Sequence, residues 1–233
     1  MIISAGTLGS LAQRGFCQRC FWLQLKLESL PFKMPLPGVF SSIDSYVKNV
    51  VRTWFDTNGV LPPWFPDIGR VVKYEARMHY TRFSVVDPES EVTLRGTPDE
   101  VFHLDNGHIH IIDYKTSRLS AAQDFMFPGY EVQLNAYAYI CARIGLPPVV
   151  HMSLLYLEPD TDLAKAPHLL NRSVGSLLMG FTPKIRPVQA KPYPFIESLL
   201  ATAKAIHDSP SPPAPAAGCK NCSAIEELVK VVT

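Results

Sequence analysis

The stretch GTPDEVFHLDNGHIHIIDYKT, residues 96–116, holds two apolar runs separated by Asp105-Asn106-Gly107. Asn106-Gly107 is a hairpin signal, because both residue types tolerate positive φ. It joins a strand over Thr93–Phe102 to a strand over His108–Tyr114. Asp99 and Asp113 are thereby delivered to neighbouring strands. Residues two apart on a strand share a face, so Lys115 joins Asp113 while Tyr114 turns to the opposite side.

Other elements follow on either side. Ser41–Asp56 reads as an amphipathic helix with Ile43, Val47, Val50, Val51, Trp54 and Phe55 on one side. A turn-rich segment, Gly59–Gly69, precedes an alternating strand over Arg70–Val85. Downstream, Tyr130–Ile144 is a helix stopped by Gly145 and Pro147, and Val149–Leu157 is short enough for a buried strand. Glu158–Arg172 reads as a surface loop, Ser176–Pro187 as a further strand and Pro194–His207 as a helix. A short helix is indicated around Ser4–Leu11, and a Pro-punctuated stretch closes the N-terminal region at Pro31–Pro37.

Composition bounds the class without naming a reaction. The chain has 233 residues, 47% hydrophobic and 18% charged, with a formal net charge of +1. These values suit one soluble globular domain over residues 1–233. There is no global basic signal for nucleic acid, although a locally basic groove needs none. Arg77, Arg82, Lys115 and Arg118 are candidates to border such a groove, extended by Arg14, Arg19, Lys184, Arg186 and Lys191. No apolar run reaches transmembrane length and the N-terminus lacks a basic n-region, so the expected location is cytoplasmic. Walker A, G-x-S-x-G and Rossmann patterns are absent.

The acids and the lysine carry the chemistry. Hard Mg²⁺ takes oxygen ligands, commonly one or two carboxylates with several waters. Asp99, Asp113 and the backbone carbonyl of Tyr114 suit that role. A bound ion polarises a phosphate and acidifies a water, and Lys115 would orient that water or offset developing charge. Taken singly, Asp99 reads as a turn residue and Asp113–Lys115 as a surface pair. The ordered set is what points to phosphodiester hydrolysis. His103, His108 and His110 crowd the hairpin, and His108 and His110 share a face at a loop edge. That placement suggests a solvated or substrate-facing position rather than a metal site.

The order G-x-x-D, then an apolar strand ending Asp113-Tyr114-Lys115-Thr116, then Gln133-Leu134-Asn135-Ala136-Tyr137 resembles the RecB-type branch of the PD-(D/E)XK nuclease superfamily. That branch includes the nuclease domains of recombination helicases and CRISPR-associated adaptation nucleases. The resemblance implies an α/β, restriction-endonuclease-like core, about residues 39–157, with a central mixed β-sheet flanked by helices. It implies an enzyme dependent on Mg²⁺ or Mn²⁺ that cleaves DNA, as an exonuclease on single-stranded ends. By the same resemblance Asp99 and Asp113 are metal ligands, Lys115 is the catalytic lysine, and Gln133 and Tyr137 contact nucleic acid. The family often places a His or Glu on the helix before the sheet. Here no His lies on Ser41–Asp56, and Asp44 is the nearest acid, with Glu75 as another accessory candidate. The rival readings are a nuclease-like module that binds DNA without cutting it and a metal-cluster or metal-sensing protein whose cysteine site is the functional centre.

The five cysteines are distributed as Cys17/Cys20, Cys219/Cys222 and a lone Cys141. Two C-x-x-C pairs provide four thiolates, a full set for Zn²⁺ or for an iron–sulfur cluster. A shared site would clip the terminal segments, residues 1–37 and 209–233, across the core. Ser209–Ala217, with Pro210, Pro212, Pro213 and Pro215, is the tether that delivers the second pair. Relatives of the RecB type carry a 4Fe–4S cluster on flanking cysteines, usually divided one and three; here the division is two and two. Phe16, Phe21 and Trp22 would shield the centre, or equally belong to the core. Cys141 reads as a buried small hydrophobe.

Overall fold

The computed structural model describes residues 1–27, 38–75, 78–170, 175 and 177–232. The 31–37 stretch, Arg77, and the ends of the expected segments at Arg172 and Ser176 lie outside the described residues.

The chain opens with β1 (Ile2–Ser4), α1 (Ala5–Gly9), a 3₁₀ turn, α2 (Gln18–Lys26) and α3 (Gly38–Asn58). Strands β2 (Val71–Tyr74), β3 (Ser84–Val86), β4 (Thr93–Arg95), β5 (Glu100–Leu104) and β6 (Ile109–Lys115) follow. Then come α4 (Ala121–Arg143), β7 (Val149–Pro159), β8 (Phe181–Pro187), α5 (Tyr193–Asp208) and α6 (Lys220–Val232). No helix among the described residues is long and apolar enough to cross a membrane.

Five strands form a mixed sheet in the order β2-β5-β6-β7-β8. Within this sheet, among the described residues, β6 and β7 are the parallel pair and the other pairings are antiparallel. A parallel pair needs a crossover connection, and α4 is that crossover. One face buries Val47 and Val51 of α3 against Phe102, Ile112, Tyr114 and Leu155. The other buries Ile109, Ile111, Leu154 and Tyr156 beneath α4 and α5, with Leu134, Ile140 and Leu200 in the same cluster. Alternate residues of β6 therefore enter different cores, and Tyr114 faces α3 as its spacing required.

Two expected strands are broken. Arg70–Val85 divides into β2 and β3, and Thr93–Phe102 divides into β4 and β5. Strands β3 and β4 belong to a second sheet, β1-β4-β3. The break after β4 is physical: a Cβ on Gly96 would lie 2.4 Å from Tyr137 Cε1, and Pro98 lacks the N–H a ladder needs. The chain must pass close to α4 there and cannot continue pairing. The hairpin is as expected in place but not in detail. Gly107 alone takes positive φ, at 80°, and its N–H donates to Leu104 O at 3.0 Å.

Helices α3 and α4 are longer than their periodic cores. Trp54 is 40% exposed rather than buried with its expected neighbours. Helix α4 begins before Pro128, whose ring is followed by Gly129. There α1 approaches so closely that a Cβ on Gly9 would stand 2.4 Å from Gly129 O. Gly9 has no room for a side chain and Gly129 is tightly packed, with its Cβ position 3.1 Å from Gln13 and 3.2 Å from Gly9 O, which seats α1 against α4.

Candidate active site

Glu100 of β5 is paired with Ile112 of β6, so Asp99, one residue earlier, stands opposite Asp113. The backbone links them further: Tyr114 N–H donates to Asp99 Oδ2 at 2.8 Å. Asp113 Oδ2 is 2.5 Å from Lys115 Nζ on the same strand face. Lys115 is itself held 3.9 Å above the Tyr130 ring centroid of α4. Gln133, one turn along α4, points Nε2 to Tyr137 Oη at 2.8 Å and to Asp113 Oδ1 at 3.5 Å. Tyr137 Oη in turn donates to Thr97 O at 3.4 Å. All five residues expected from sequence thus converge, three from the sheet and two from α4.

Lys48 and Arg52 also belong to this cluster and carry no motif of their own. Lys48 of α3 places Nζ 2.6 Å from Asp99 Oδ1 and 2.7 Å from Asp44 Oδ2. Asp44 reaches Asp99 only across that ammonium. Arg52, one turn on, donates to Asp99 O at 3.0 Å and lies 3.0 Å from Glu100 Oε1. The i, i+4 spacing of Asp44, Lys48 and Arg52 on a helix was the available signal. Glu75 is engaged by His103 at 2.7 Å and Lys73 at 2.6 Å.

Burial governs the electrostatics. Desolvation raises the Asp113 carboxyl, and Lys115 opposes that rise. Burial likewise lifts Glu100 to about 7 against the pull of Arg52. Desolvation pulls Lys48 down, but Asp99 and Asp44 outweigh it and hold its ammonium above the usual value. Two opposed carboxylates at a desolvated sheet end demand cations. Their oxygens are hard donors of the kind Mg²⁺ or Mn²⁺ takes, so the donor set fits a divalent ion.

The motif residues thus occupy one site in the order in which the strands deliver them. The sequence model of the PD-(D/E)XK nuclease superfamily matches residues 47–226. The chain belongs to the PD-(D/E)XK nuclease superfamily. No curated protein matches it. The matched superfamily region begins on α3 at Val47 and ends on α6 at Glu226, so it takes in the second cysteine pair.

The cysteine pairs do meet. All four ligand sulfurs lie within 4.8 Å of one another. Cys17–Cys222 is 3.6 Å, and Cys20 is 3.5 Å from both Cys219 and Cys222. Ala216 N–H donates to Cys17 Sγ at 3.3 Å. Burial opposes ionisation of Cys17, but that backbone donor and the neighbouring thiols outweigh it and bring the thiol down to about 6. Such crowded sulfurs cannot all be thiolates without a metal between them. The tether is gripped by α2: Arg19 Nε donates to Pro213 O at 2.9 Å and Trp22 Nε1 to Ser209 O at 3.2 Å. Phe21 packs in the core, and Cys141 is fully buried, its thiol pushed up to about 12 by desolvation.

Two expectations are corrected. His110 is neither solvated nor substrate-facing: it is 5% exposed, with Nε2 3.0 Å from Ser153 Oγ. Of the expected groove cations, Arg19, Lys184, Arg186 and Lys191 are already paired with Glu226, Glu158, Asp124 and Glu131.

Proposed function

We propose that residues 1–233 form a single nuclease domain of the RecB type, which hydrolyses DNA phosphodiesters as an exonuclease on single-stranded ends. The reading is carried by the opposition of Asp99 and Asp113 on paired strands, with Lys115 on the same face. Asp99, Asp113, the Tyr114 backbone carbonyl and Asp44 would hold Mg²⁺ or Mn²⁺. When bound, that ion polarises the scissile phosphate and acidifies a water. Lys115 positions the attacking water and offsets charge on the phosphate oxygens. Tyr130 keeps the ammonium in place, and Gln133 and Tyr137 contact the strand.

The cysteine centre takes one tetrahedral ion, and zinc suits it better than a 4Fe–4S cluster. A Zn–S bond of about 2.3 Å sets tetrahedral sulfurs roughly 3.8 Å apart. Cys20 is 3.5 Å from both Cys219 and Cys222, close to that edge. A cubane interposes four irons and spreads its ligands more widely. The centre closes the chain from α2 to α6 and serves stability rather than chemistry.

A second reading has one observation in its favour. Lys48 already bridges Asp44 and Asp99, as a fixed cation would in a module that binds DNA without cutting it. Cleavage of end-labelled single- and double-stranded DNA with Mg²⁺, Mn²⁺ or EDTA, alongside Asp113→Ala, separates the two. Metal-dependent cutting absent from the variant supports the enzyme. Binding by folded wild-type protein without cutting under any ion favours the module.

A further inference from the structure

A recess of about 540 Å³ opens between the small sheet and α4, a volume within the roughly 300–1,000 Å³ typical of ligand sites. Its lining includes Tyr80, Arg95, Thr97, Gln133 and Tyr137. Gln133 is a wall shared with the active site, since its Nε2 also reaches toward Asp113 Oδ1. The recess therefore begins where the catalytic acids end.

Arg95 is the distinctive member. It is exposed and pairs with no acid among the described residues, whereas Arg52, Arg143 and Arg186 are held by Glu100, Glu197 and Asp124. Its guanidinium carbon lies 5.2 Å from the Tyr80 ring centroid, and the His79 ring lies 4.2 Å from that of Tyr80, tilted by 36°. A guanidinium held over an aromatic ring by a cation–π contact keeps its N–H donors for other partners, in a fork that matches phosphate. Its position is fixed as well. Gly96, the next residue, leaves no room for a side chain against Tyr137, so the end of β4 is pinned to α4 only three residues before Asp99.

We infer that this recess is a subsite for one unpaired nucleotide flanking the scissile phosphate, with Arg95 as its phosphate ligand. The inference rests on the nuclease reading above. A guanidinium over an aromatic ring, further aromatic rings beside it, and amide and hydroxyl groups at Gln133 and Thr97 match the phosphate, the base face and the base edge. A base paired inside a duplex cannot enter a recess of this kind; only one outside the stack can. Arg95 thus selects for single-stranded substrate rather than acting on the bond itself.

The test is equilibrium binding by the full chain in EDTA, where no cutting occurs. Fluorescein-labelled oligothymidine of about a dozen nucleotides and a blunt duplex of equal length are compared by anisotropy over a range of NaCl. Arg95→Ala should weaken single-strand binding about tenfold and make its salt dependence shallower by about 0.7 in slope. Duplex binding should change less than twofold. Arg95→Lys should recover the slope, and thermal melting confirms that each variant is folded. Unchanged single-strand affinity and slope in folded Arg95→Ala would overturn the subsite. Wild-type cleavage with Mg²⁺, measured in parallel, keeps the two readings apart. Cutting with a silent Arg95→Ala defeats the subsite alone, while no cutting with lost single-strand binding defeats the nuclease and supports only Arg95 as a ligand for single-strand phosphate.

Discussion

The Lys48 ammonium lies 2.6 Å from Asp99 and 2.7 Å from Asp44, so a residue of α3 supplies the cation that two acids of the site require. A divalent ion binding these carboxylates competes with that ammonium for the same oxygens. Lys48→Met should therefore lower the half-saturating Mg²⁺ concentration for cleavage several-fold. A magnesium titration checks this, and an unchanged midpoint would mean that lysine and metal occupy separate oxygens.

Lys115 is placed by two contacts, the Asp113 carboxylate and the face of Tyr130. Lys115→Ala should reduce cleavage at least about a hundredfold and also lower the melting temperature, because the buried Asp113 carboxylate loses its cation. Tyr130→Leu should act in the same direction but less, raising the rate-limiting barrier by about 0.5–2 kcal/mol through loss of the cation–π contact. Single-turnover rates on a labelled oligonucleotide measure both. Wild-type cutting by Lys115→Ala would remove it from the mechanism.

Gly96→Ala inserts a methyl where Tyr137 Cε1 would be 2.4 Å away. Tyr137 must move, and Gln133, bonded to its hydroxyl, moves with it. The cost of such overpacking is about 1–3 kcal/mol, read as a lower denaturation midpoint. Gly9→Ala should cost at least as much, since the obstruction there is the Gly129 carbonyl, backbone that cannot rotate aside.

Acid should destabilise the fold through His110. Burial, followed by the charge of nearby His151, holds its imidazole down to about 4, against an unfolded value of about 6.5. Above pH 6.5 both states are neutral and the stability is fully present. As pH falls from 6.5 to 4 the unfolded chain takes a proton that the folded chain refuses, so stability declines by up to ~3 kcal/mol. Urea midpoints between pH 7 and pH 4 should show this slope, and His110→Gln should flatten it.

Removing the ion from the cysteine centre should unfasten both ends. Four thiols within 4.8 Å lose the charge that holds them together, and the loop from α2 to α6 is released. Chelation, or Cys219→Ser, should lower the melting temperature and expose the 209–217 tether to protease. Mass spectrometry of native protein should give one zinc per chain. Iron with visible charge-transfer absorption would instead establish the cluster.

Much of the fold was legible along the chain. The hairpin at 105–107, the alternation in 109–115 and the spacing of Gln133 and Tyr137 are local patterns, set by pleat and helical period. Those periods alone place Asp113 with Lys115 and Tyr114 opposite. The termini of the strands were not legible, because β4 ends where Gly96 meets Tyr137, 41 residues distant in sequence. Nothing local marks that collision.

The sequence by itself determined which residues share a face, and hence the two acids, the lysine and the paired cysteines. Only the tertiary structure decided what neutralises them. Lys48 and Arg52 read as ordinary helix-surface cations until α3 packs on the sheet. Arg95 is one charge among many along the chain until the fold shows that no acid among the described residues pairs with it. His110 reads as an exposed loop-edge residue until Ser153 of β7 covers it. Periodicity is a property of neighbouring residues, whereas charge balance and burial belong to whatever folds against them.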